Sequence, residues 1–172
     1  MKLRLLPASL LLVCTLTHAA NPEPIPKSLE EQVGRLVELI RDSYATGYPE
    51  AAQVQTLKTG KDRQVTLAVF IIEGFGLGNN YSQYLAAFSS DANEEGKVHY
   101  SLLDVIKIGA GGWRSIEKLD AKLISNLANE QVLIDIPVME NTSGDATNFP
   151  SRAGVIHLSL EGLQSPRLVE KN

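Results

Sequence analysis

The stretch QVTLAVFIIEGFGLGNNYSQYLAAFSS, residues 64–90, decides the fold, because two largely apolar runs flank a segment rich in glycine and asparagine. The first run, 64–73, is typical of a strand. Glycine and asparagine accept the positive φ angles of a tight connection. The stretch therefore predicts a β-hairpin whose corner is EGFGLGNN, residues 73–80.

The same glycines also resemble the start of a phosphate-binding loop. A P-loop requires G-x-x-x-x-G-K-[ST], since its lysine neutralises phosphate charge and its hydroxyl group holds magnesium. Residues 73–80 contain neither group, and Asn79 stands where a dinucleotide fingerprint has its third glycine. The sequence therefore predicts no nucleotide site, and no other cofactor is expected.

Two segments also have apolar residues at the one-face spacing of a helix. In 81–89 these are Tyr81, Tyr84, Leu85 and Phe88, and from Ser115 onward they are Ile116, Leu119, Leu123 and Leu127. On the residues alone, strand and helix both stay open for each segment. A helix over 81–89 would place the glycine turn at a helix N-terminus, which is the geometry of a phosphate site.

The N-terminus has the organisation of a secretory signal peptide. A basic start precedes an apolar stretch over 5–16, which is too short for a transmembrane helix, and small residues follow at Ala19 and Ala20. We predict a signal peptide over 1–20 with cleavage near Ala19 or Ala20. The mature chain is then periplasmic or secreted and has no transmembrane segment.

Cleavage also changes the composition of the chain. The single cysteine, Cys14, is lost with the signal peptide, and Val13 before it is too bulky for lipoprotein processing, which argues against lipidation. Loss of Lys2 and Arg4 takes the formal net charge from −4 to −6. Because no basic run remains, nucleic acid is not an expected partner.

The mature chain is expected to form one domain, 28–172, after an extended arm over 21–27 that contains NPEPIP. Ser28 and Glu31 have the S-x-x-E spacing of a capping box. An apolar stripe after them predicts an amphipathic helix. The stripe consists of Leu29, Val33, Leu36, Val37 and Ile40.

Beyond the helix, short apolar runs alternate with glycine, asparagine and aspartate, which is typical of an antiparallel sheet. We predict strands over 53–57, 64–73, 81–89, 98–108, 115–125, 131–139, 154–160 and 167–169. Pro137 cannot donate a ladder hydrogen bond, so it indicates an edge or a bulge. The predicted fold class is α+β: an N-terminal amphipathic helix packs on one face of a mostly antiparallel, twisted meander sheet of about six to eight strands. The other face of the sheet is expected to be partly exposed.

Three segments in order strengthen the sheet interpretation: AVFIIEGFGLGNNYSQYLAAF, residues 68–88, then IGAGGWRS with the residues that follow it, and then SGDATNFPSRAGVIHLSL. Together they resemble a group of uncharacterised secreted proteins and lipoproteins of bacteria over 65–160. That group has a glycine-rich hairpin and a terminal D-x-x-C-C-P-S segment. Asp145, Pro150 and Ser151 match the segment, but Asn148 and Phe149 replace its two cysteines. The resemblance favours a strand over 81–89 and implies no activity.

Motifs for catalysis or metal binding are absent from the sequence. The mature chain keeps only His99 and His157 as imidazoles, and it has no G-x-S-x-G elbow and no H-E-x-x-H spacing. We predict no catalytic residues and no metal site. An envelope hydrolase that uses His99 or His157 with a nearby carboxylate is the alternative hypothesis.

Candidate binding residues lie in the loops, where aromatic, arginine and amide side chains are usual contact groups. We predict binding roles for Asn79, Asn80, Tyr81, Trp113, Arg114, Asp145, Asn148 and Arg152. The competing interpretation places Trp113 and Phe149 in the core. The predicted function is a non-catalytic binding protein for a protein or cell-envelope ligand, of which an inhibitor or immunity protein is one form. The sequence does not predict an oligomeric state.

Overall fold

The computed structural model describes residues 25–61, 63–127, 131–162 and 165–171, with the backbone alone for 125–127. The predicted signal peptide, Cys14 and residues 21–24 of the arm lie outside the described residues. Within these ranges the chain forms one helix and ten strands. They are α1 (Lys27–Ile40), β1 (Thr46–Gly47), β2 (Gln53–Lys58), β3 (Gln64–Glu73), β4 (Tyr81–Ala92), β5 (Val98–Ala110), β6 (Arg114–Ser115), β7 (Lys122–Leu127), β8 (Gln131–Glu140), β9 (Arg152–Glu161) and β10 (Arg167–Lys171).

The start of α1 differs from the prediction. The N-cap is Pro26, with φ −57° and ψ 133°, and no side chain caps the helix, so the predicted capping box of Ser28 and Glu31 is wrong. The reason is that Pro26 leads directly from extended backbone into the first turn, where its carbonyl accepts hydrogen bonds from the amides of Leu29 and Glu30. Ser28 therefore lies inside the helix rather than at its cap.

The apolar stripe of α1 packs on one face of the sheet, as predicted. Leu29, Val33, Leu36 and Val37 are buried. They share a core with residues of β3 and β4, which are Ala68, Phe70, Ile72, Ala86 and Phe88. No helix in the described part of the chain is long and apolar enough to cross a membrane.

The strands form one antiparallel meander in the order β1, β3, β4, β5, β6, β8, β9, β10, with β2 paired to β3 and β7 paired to β8. Ten strands exceed the expected six to eight, because the two-residue strands β1 and β6 carry too little pattern to be predicted. The segment 81–89 lies in strand β4, so the helix alternative there is wrong. The segment 115–125 is neither one strand nor a helix, since it divides into the end of β6, an irregular stretch and β7.

The sheet folds back on itself, so the second face of β3 and β4 is buried rather than partly exposed. A second core fills the space between the half containing β2 to β5 and the half containing β7 to β10. Its largest fully buried members are Leu67, Leu85, Ile108, Ile116, Ile134, Ile136, Ile156 and Leu158. The architecture therefore has three layers: the helix, the first half of the sheet and the second half of the sheet.

Two features let the sheet bend. The pairing of β4 with β5 contains two register shifts, and such bulges increase the local twist of a strand. β5 and β8 are then joined only through the short strand β6, whose partners are Ala110 on β5 and Glu140 and Met139 on β8. Pro137 on β8 falls between the segments that pair with β6 and β7, so the predicted local edge is confirmed within the described residues.

Residues 116–121 cross the opening between the two halves as an irregular segment. Their backbone is bound by glutamine side chains instead of a neighbouring strand. Gln83 on β4 accepts from the amide of Ile116 at 2.7 Å and donates to its carbonyl at 2.9 Å. Gln53 and Gln55 on β2 each donate one hydrogen bond to the same segment and accept one from it. Gln53 donates to the carbonyl of Glu117 and accepts from the amide of Leu119. Gln55 binds both the carbonyl and the amide of Ala121. We call these three side chains the glutamine ladder.

Candidate functional site

The first glycine turn, 74–80, joins β3 to β4 and is the predicted hairpin corner. Glu73 pairs with Tyr81, and the amide of Gly74 donates to the carbonyl of Asn80 at 2.9 Å. Gly74 and Gly76 have φ angles of 84° and 61°, which glycine adopts without steric cost. The side-chain amide of Asn80 donates to the carbonyl of Phe75 at 3.0 Å and so closes the turn.

A carboxylate just after α1 fixes this turn to the helix. Asp42 Oδ2 accepts a hydrogen bond from the amide of Gly76 at 2.8 Å, and its Oδ1 accepts from the amides of Tyr44 and Ala45. The pKa of Asp42 is lowered from its ordinary value, first by the Gly76 amide and then by that of Tyr44, which is partly opposed by desolvation. The first glycine turn is therefore held by the side chain of Asn80 within it and by Asp42 at the end of α1.

The second glycine turn, 110–114, joins β5 to β6 and lies beside the start of β4, the second strand of the hairpin. The amide of Trp113 donates to the carbonyl of Ala110 at 3.1 Å, and Gly112 has a φ of 77°. The amide of Gly111 points to the carbonyl of Tyr81 at 3.4 Å. The two glycine turns thus meet at one end of β4 and β5.

The loop 141–151, between β8 and β9, approaches the second turn from the other side. Its residue Thr147 accepts a hydrogen bond from the amide of Gly112, and the amide of Asn141 donates to Trp113 at 2.8 Å. Asp145 Oδ2 holds the loop closed by accepting from the amides of Thr142 at 2.7 Å and Ser151 at 3.1 Å. The Thr142 amide is also the largest cause of the lowered pKa of Asp145.

A cleft of about 450 Å³ opens where the two turns and the loop meet. Its base comes from the helix-side face of the sheet, where Tyr84 on β4 pairs with Lys107 on β5 and Ser82 pairs with Ala110. The ring of Tyr84 stacks on Phe70 with centroids 5.6 Å apart. The lining residues are Phe75, Asn79, Asn80, Tyr81, Ser82, Tyr84, Lys107, Ala110, Gly111, Thr147 and Asn148.

The predicted binding residues divide into two groups. Four of them line the cleft, and these are Asn79, Asn80, Tyr81 and Asn148. The other four lie outside the lining. Asp145 shapes the loop, and Arg152 forms an exposed ion pair with Glu140 at 2.6 Å across the ends of β8 and β9. Trp113 and Arg114 lie at the end of the second turn but do not line the cleft.

Arg114 is a buried structural residue, so the expectation that it is exposed in a loop is wrong. Only 6% of its surface is accessible. Its Nε donates to the carbonyl of Ile108 at 2.8 Å, and its two terminal nitrogens each contact one carboxylate oxygen of Glu170 at 2.7 Å. The guanidinium carbon also lies 4.1 Å from the ring centroid of Trp113. Arg114 therefore joins β6 to β5 and β10.

The core placement of the two aromatic residues is also wrong. Trp113 is 44% exposed and Phe149 is 74% exposed. Trp113 packs its ring on Arg114, which explains why it is half covered. Phe149 directly follows the cleft residue Asn148, so its exposed ring is adjacent in the chain to the cleft. Both rings remain available for contact with a partner.

Sequence reasoning missed several lining residues, chiefly Phe75, Ser82, Tyr84, Lys107 and Thr147. Tyr84 and Lys107 lie in strands, where a polar or aromatic residue is ordinarily explained by alternation alone. Their meeting depends on the register between β4 and β5, which contains a bulge next to Tyr84. No signal in the sequence gives that register.

The histidines of the alternative hypothesis lie apart from the cleft lining. His157 Nδ1 on β9 is 2.7 Å from Asp135 Oδ1 on the neighbouring strand β8, at an exposed position. His99 is exposed on β5, where its partner in the pairing is Asp91. Among the described residues, no three histidine, cysteine, aspartate or glutamate side chains gather as metal ligands.

Comparison with known proteins gives no assignment. No protein-family model, no curated protein and no solved structure matches the chain. The function therefore has to be inferred from the geometry of the cleft and of its surroundings.

Proposed function

We propose that the chain is an exported, non-catalytic binding protein that holds a small polar ligand in the cleft between its two glycine turns. The N-terminal sequence supports export, because it has the organisation of a signal peptide. The observation that supports binding is the convergence of two turns and a loop around a cleft of about 450 Å³. This volume is in the range of small-molecule sites.

The character of the lining supports binding rather than catalysis. The lining combines aromatic rings with amide and hydroxyl groups, which orient a ligand by contact and hydrogen bonds. Within the described part of the chain, no histidine and no carboxylate lines the cleft to serve as a general base. The walls are also held in advance, by Asp42 in the first turn and by Asp145 in the loop. A preformed site loses less entropy when a ligand binds.

The proposal is tested by two-dimensional NMR of the purified ¹⁵N-labelled protein with a panel of neutral sugars, acidic sugars, amino acids and dipeptides. Binding in the cleft is expected to shift the amide signals of Asn79, Tyr81, Gly111 and Asn148 together. Shifts that appear only elsewhere, or no shift with any compound of the panel, would contradict the proposal.

A small substitution is expected to impair the cleft without unfolding the protein. A Cβ atom at Gly111 would lie 2.7 Å from Asn148 Oδ1, so Gly111→Ala forces this amide to move. We expect roughly five- to thirtyfold weaker ligand affinity, the equivalent of one lost hydrogen bond, and a stability change below about 1 kcal/mol. NMR titration with any ligand found in the panel measures the affinity.

The matched control is Gly144→Ala in the loop next to the cleft. A Cβ atom at Gly144 has only Thr142 Oγ1 within reach, at 4.0 Å, so this variant adds the same methyl group without displacing a neighbour. Its affinity is expected to equal that of the wild type. Equal affinity of the Gly111→Ala variant would show that the Asn148 amide does not contact the ligand.

The alternative function, an envelope hydrolase, is favoured by one observation, the 2.7 Å contact between His157 and Asp135. This is the arrangement in which a carboxylate orients a catalytic imidazole. If the pair is catalytic, His157→Ala abolishes hydrolysis of p-nitrophenyl acetate above the buffer rate, whereas the exposed control His99→Ala retains it. Because His157 lies exposed on the sheet, we expect equal and low rates for both variants and the wild type.

A further inference from the structure

The cleft carries an uncompensated positive charge. Among the residues that the structure describes, Lys107 is the only lysine or arginine in the lining, and no lining residue is an aspartate or a glutamate. The ammonium group is exposed, and none of the ion pairs in the described part of the chain includes it. The whole chain has a formal charge of −4, so a cationic cleft stands out against an acidic protein. An anionic ligand group gains a favourable contact there.

The rest of the lining is suited to a ring that bears hydroxyl groups. Tyr84 pairs with Lys107 across β4 and β5, so their side chains emerge side by side on one face. Stacking on Phe70 keeps the Tyr84 ring in place. Aromatic rings offer a flat apolar surface for the C–H face of a sugar, while the amides of Asn79 and Asn148 can both donate to and accept from hydroxyl groups.

We infer that the ligand of the cleft is an acidic sugar, a mono- or disaccharide whose carboxylate binds Lys107 and whose ring lies against the aromatic residues. This inference rests on the proposed binding function of the cleft and specifies its ligand class. The cleft volume of about 450 Å³ suits one or two sugar rings rather than a lipid or a long peptide. The side-chain amides of Asn79 and Asn148 supply the directional contacts that distinguish a sugar from a simple anion.

Two matched pairs of sugars test the inference by NMR titration of the wild type. D-glucuronate is compared with D-glucose, which has a hydroxymethyl group in place of the carboxylate, and N-acetylmuramate with N-acetylglucosamine, which lacks the carboxylate-bearing lactyl ether. Acetate is titrated as the anion without a sugar. We expect at least one acidic sugar to bind about tenfold or more tightly than both its neutral partner and acetate, the effect of one charge-assisted hydrogen bond.

The role of Lys107 is tested with Lys107→Met, which keeps the aliphatic stem and removes the charge. This variant is expected to lose the preference for the acidic sugar. Lys97→Met is the matched control, because it removes the same charge in the turn at the opposite end of β4 and β5. It is expected to bind as the wild type does.

The possible failures are distinguishable. Equal binding of neutral and acidic sugars, equal binding of acetate, or an unchanged preference in Lys107→Met would overturn the acidic-sugar inference and leave the cleft as a binding site. The same holds if only amino acids or dipeptides shift the cleft signals. If no compound shifts them, the inference and the proposed function fail together.

Discussion

Replacement of Arg114 by alanine is expected to destabilise the protein by about 2 to 4 kcal/mol, and urea unfolding measures the change. The guanidinium group is buried, and its removal leaves the carbonyl of Ile108 without this donor and the carboxylate of Glu170 without its bidentate partner. The side chain of Glu170 is 42% exposed, so water replaces part of what it loses. For that reason the expected effect is smaller than for a fully buried pair.

Glu170→Gln separates the charge from the rest of the contact. It keeps the size of the side chain and leaves Arg114 bonded to Ile108, so we expect a loss of about 1 kcal/mol or less. If Arg114→Ala costs no more than Glu170→Gln, Arg114 does not hold β6 between β5 and β10. The fold-back of the sheet would then depend on apolar packing alone.

The ion pair of Arg114 and Glu170 also makes the stability of the protein depend on pH. The hydrogen bond from Arg114 is the largest cause that lowers the pKa of Glu170 below its ordinary value of 4.5. Its stabilising contribution is therefore complete above about pH 5 and is lost as the pH falls through the lowered pKa. The pKa is also lowered for Asp42, Asp145 and Glu161, so these carboxylates add to the pH dependence of the wild type. The wild type is therefore compared with Glu170→Gln, and the variant should lose less stability than the wild type below about pH 4.5.

The hairpin and the helix were predictable because both depend on local signals. The glycine turn needs positive φ angles, and the glycine and asparagine residues of 73–80 indicate them. The helix needs one apolar stripe, and the periodicity of its apolar residues indicates that stripe. Arg114 was not predictable in the same way. Its partner Glu170 lies 56 positions further along the chain, so only the fold-back of the sheet shows that the guanidinium is buried.

The sequence predicted some of the residues that line the cleft but not those at its base. It predicted binding roles for amide and aromatic residues of the loops, and Asn79, Asn80, Tyr81 and Asn148 do line the cleft. It could not show that the base is made by Tyr84 and Lys107, since that depends on a strand register with a bulge. The residue types in the sequence therefore predicted where the strands end. Which side chains meet there depends on how the strands pair, and the sequence does not show that pairing.

The crossing segment 116–121 shows why periodicity can mislead. Ile116 is buried in the second core and Leu119 packs against it, so two apolar residues three positions apart face one core without forming a helix. A helix would satisfy its own backbone, but here the backbone is irregular and needs outside partners. The glutamine ladder supplies them, from Gln53, Gln55 and Gln83. A glutamine within an apolar strand is the only trace of this arrangement in the sequence.

Gln83→Leu is accordingly expected to destabilise the protein by about 2 to 5 kcal/mol, although it makes the core more apolar. Gln83 is 2% exposed, and its loss leaves both the amide and the carbonyl of Ile116 without the partners that satisfy them. Each buried polar group without a partner costs about 1 to 3 kcal/mol. Urea unfolding measures the total, and hydrogen exchange at the Ile116 amide measures the local effect.

Gln64→Leu is the matched control, because Gln64 is an exposed glutamine at the start of β3 whose side chain donates only to Ser90. It should change stability by less than about 0.5 kcal/mol. Gln83→Leu is expected to accelerate exchange at Ile116 far more than the control does, since the Gln83 carbonyl oxygen is the acceptor of that amide. If Gln83→Leu is as stable as the control and Ile116 stays protected, the crossing segment has another way to satisfy its backbone. The glutamine ladder would then not be what holds the crossing segment in place.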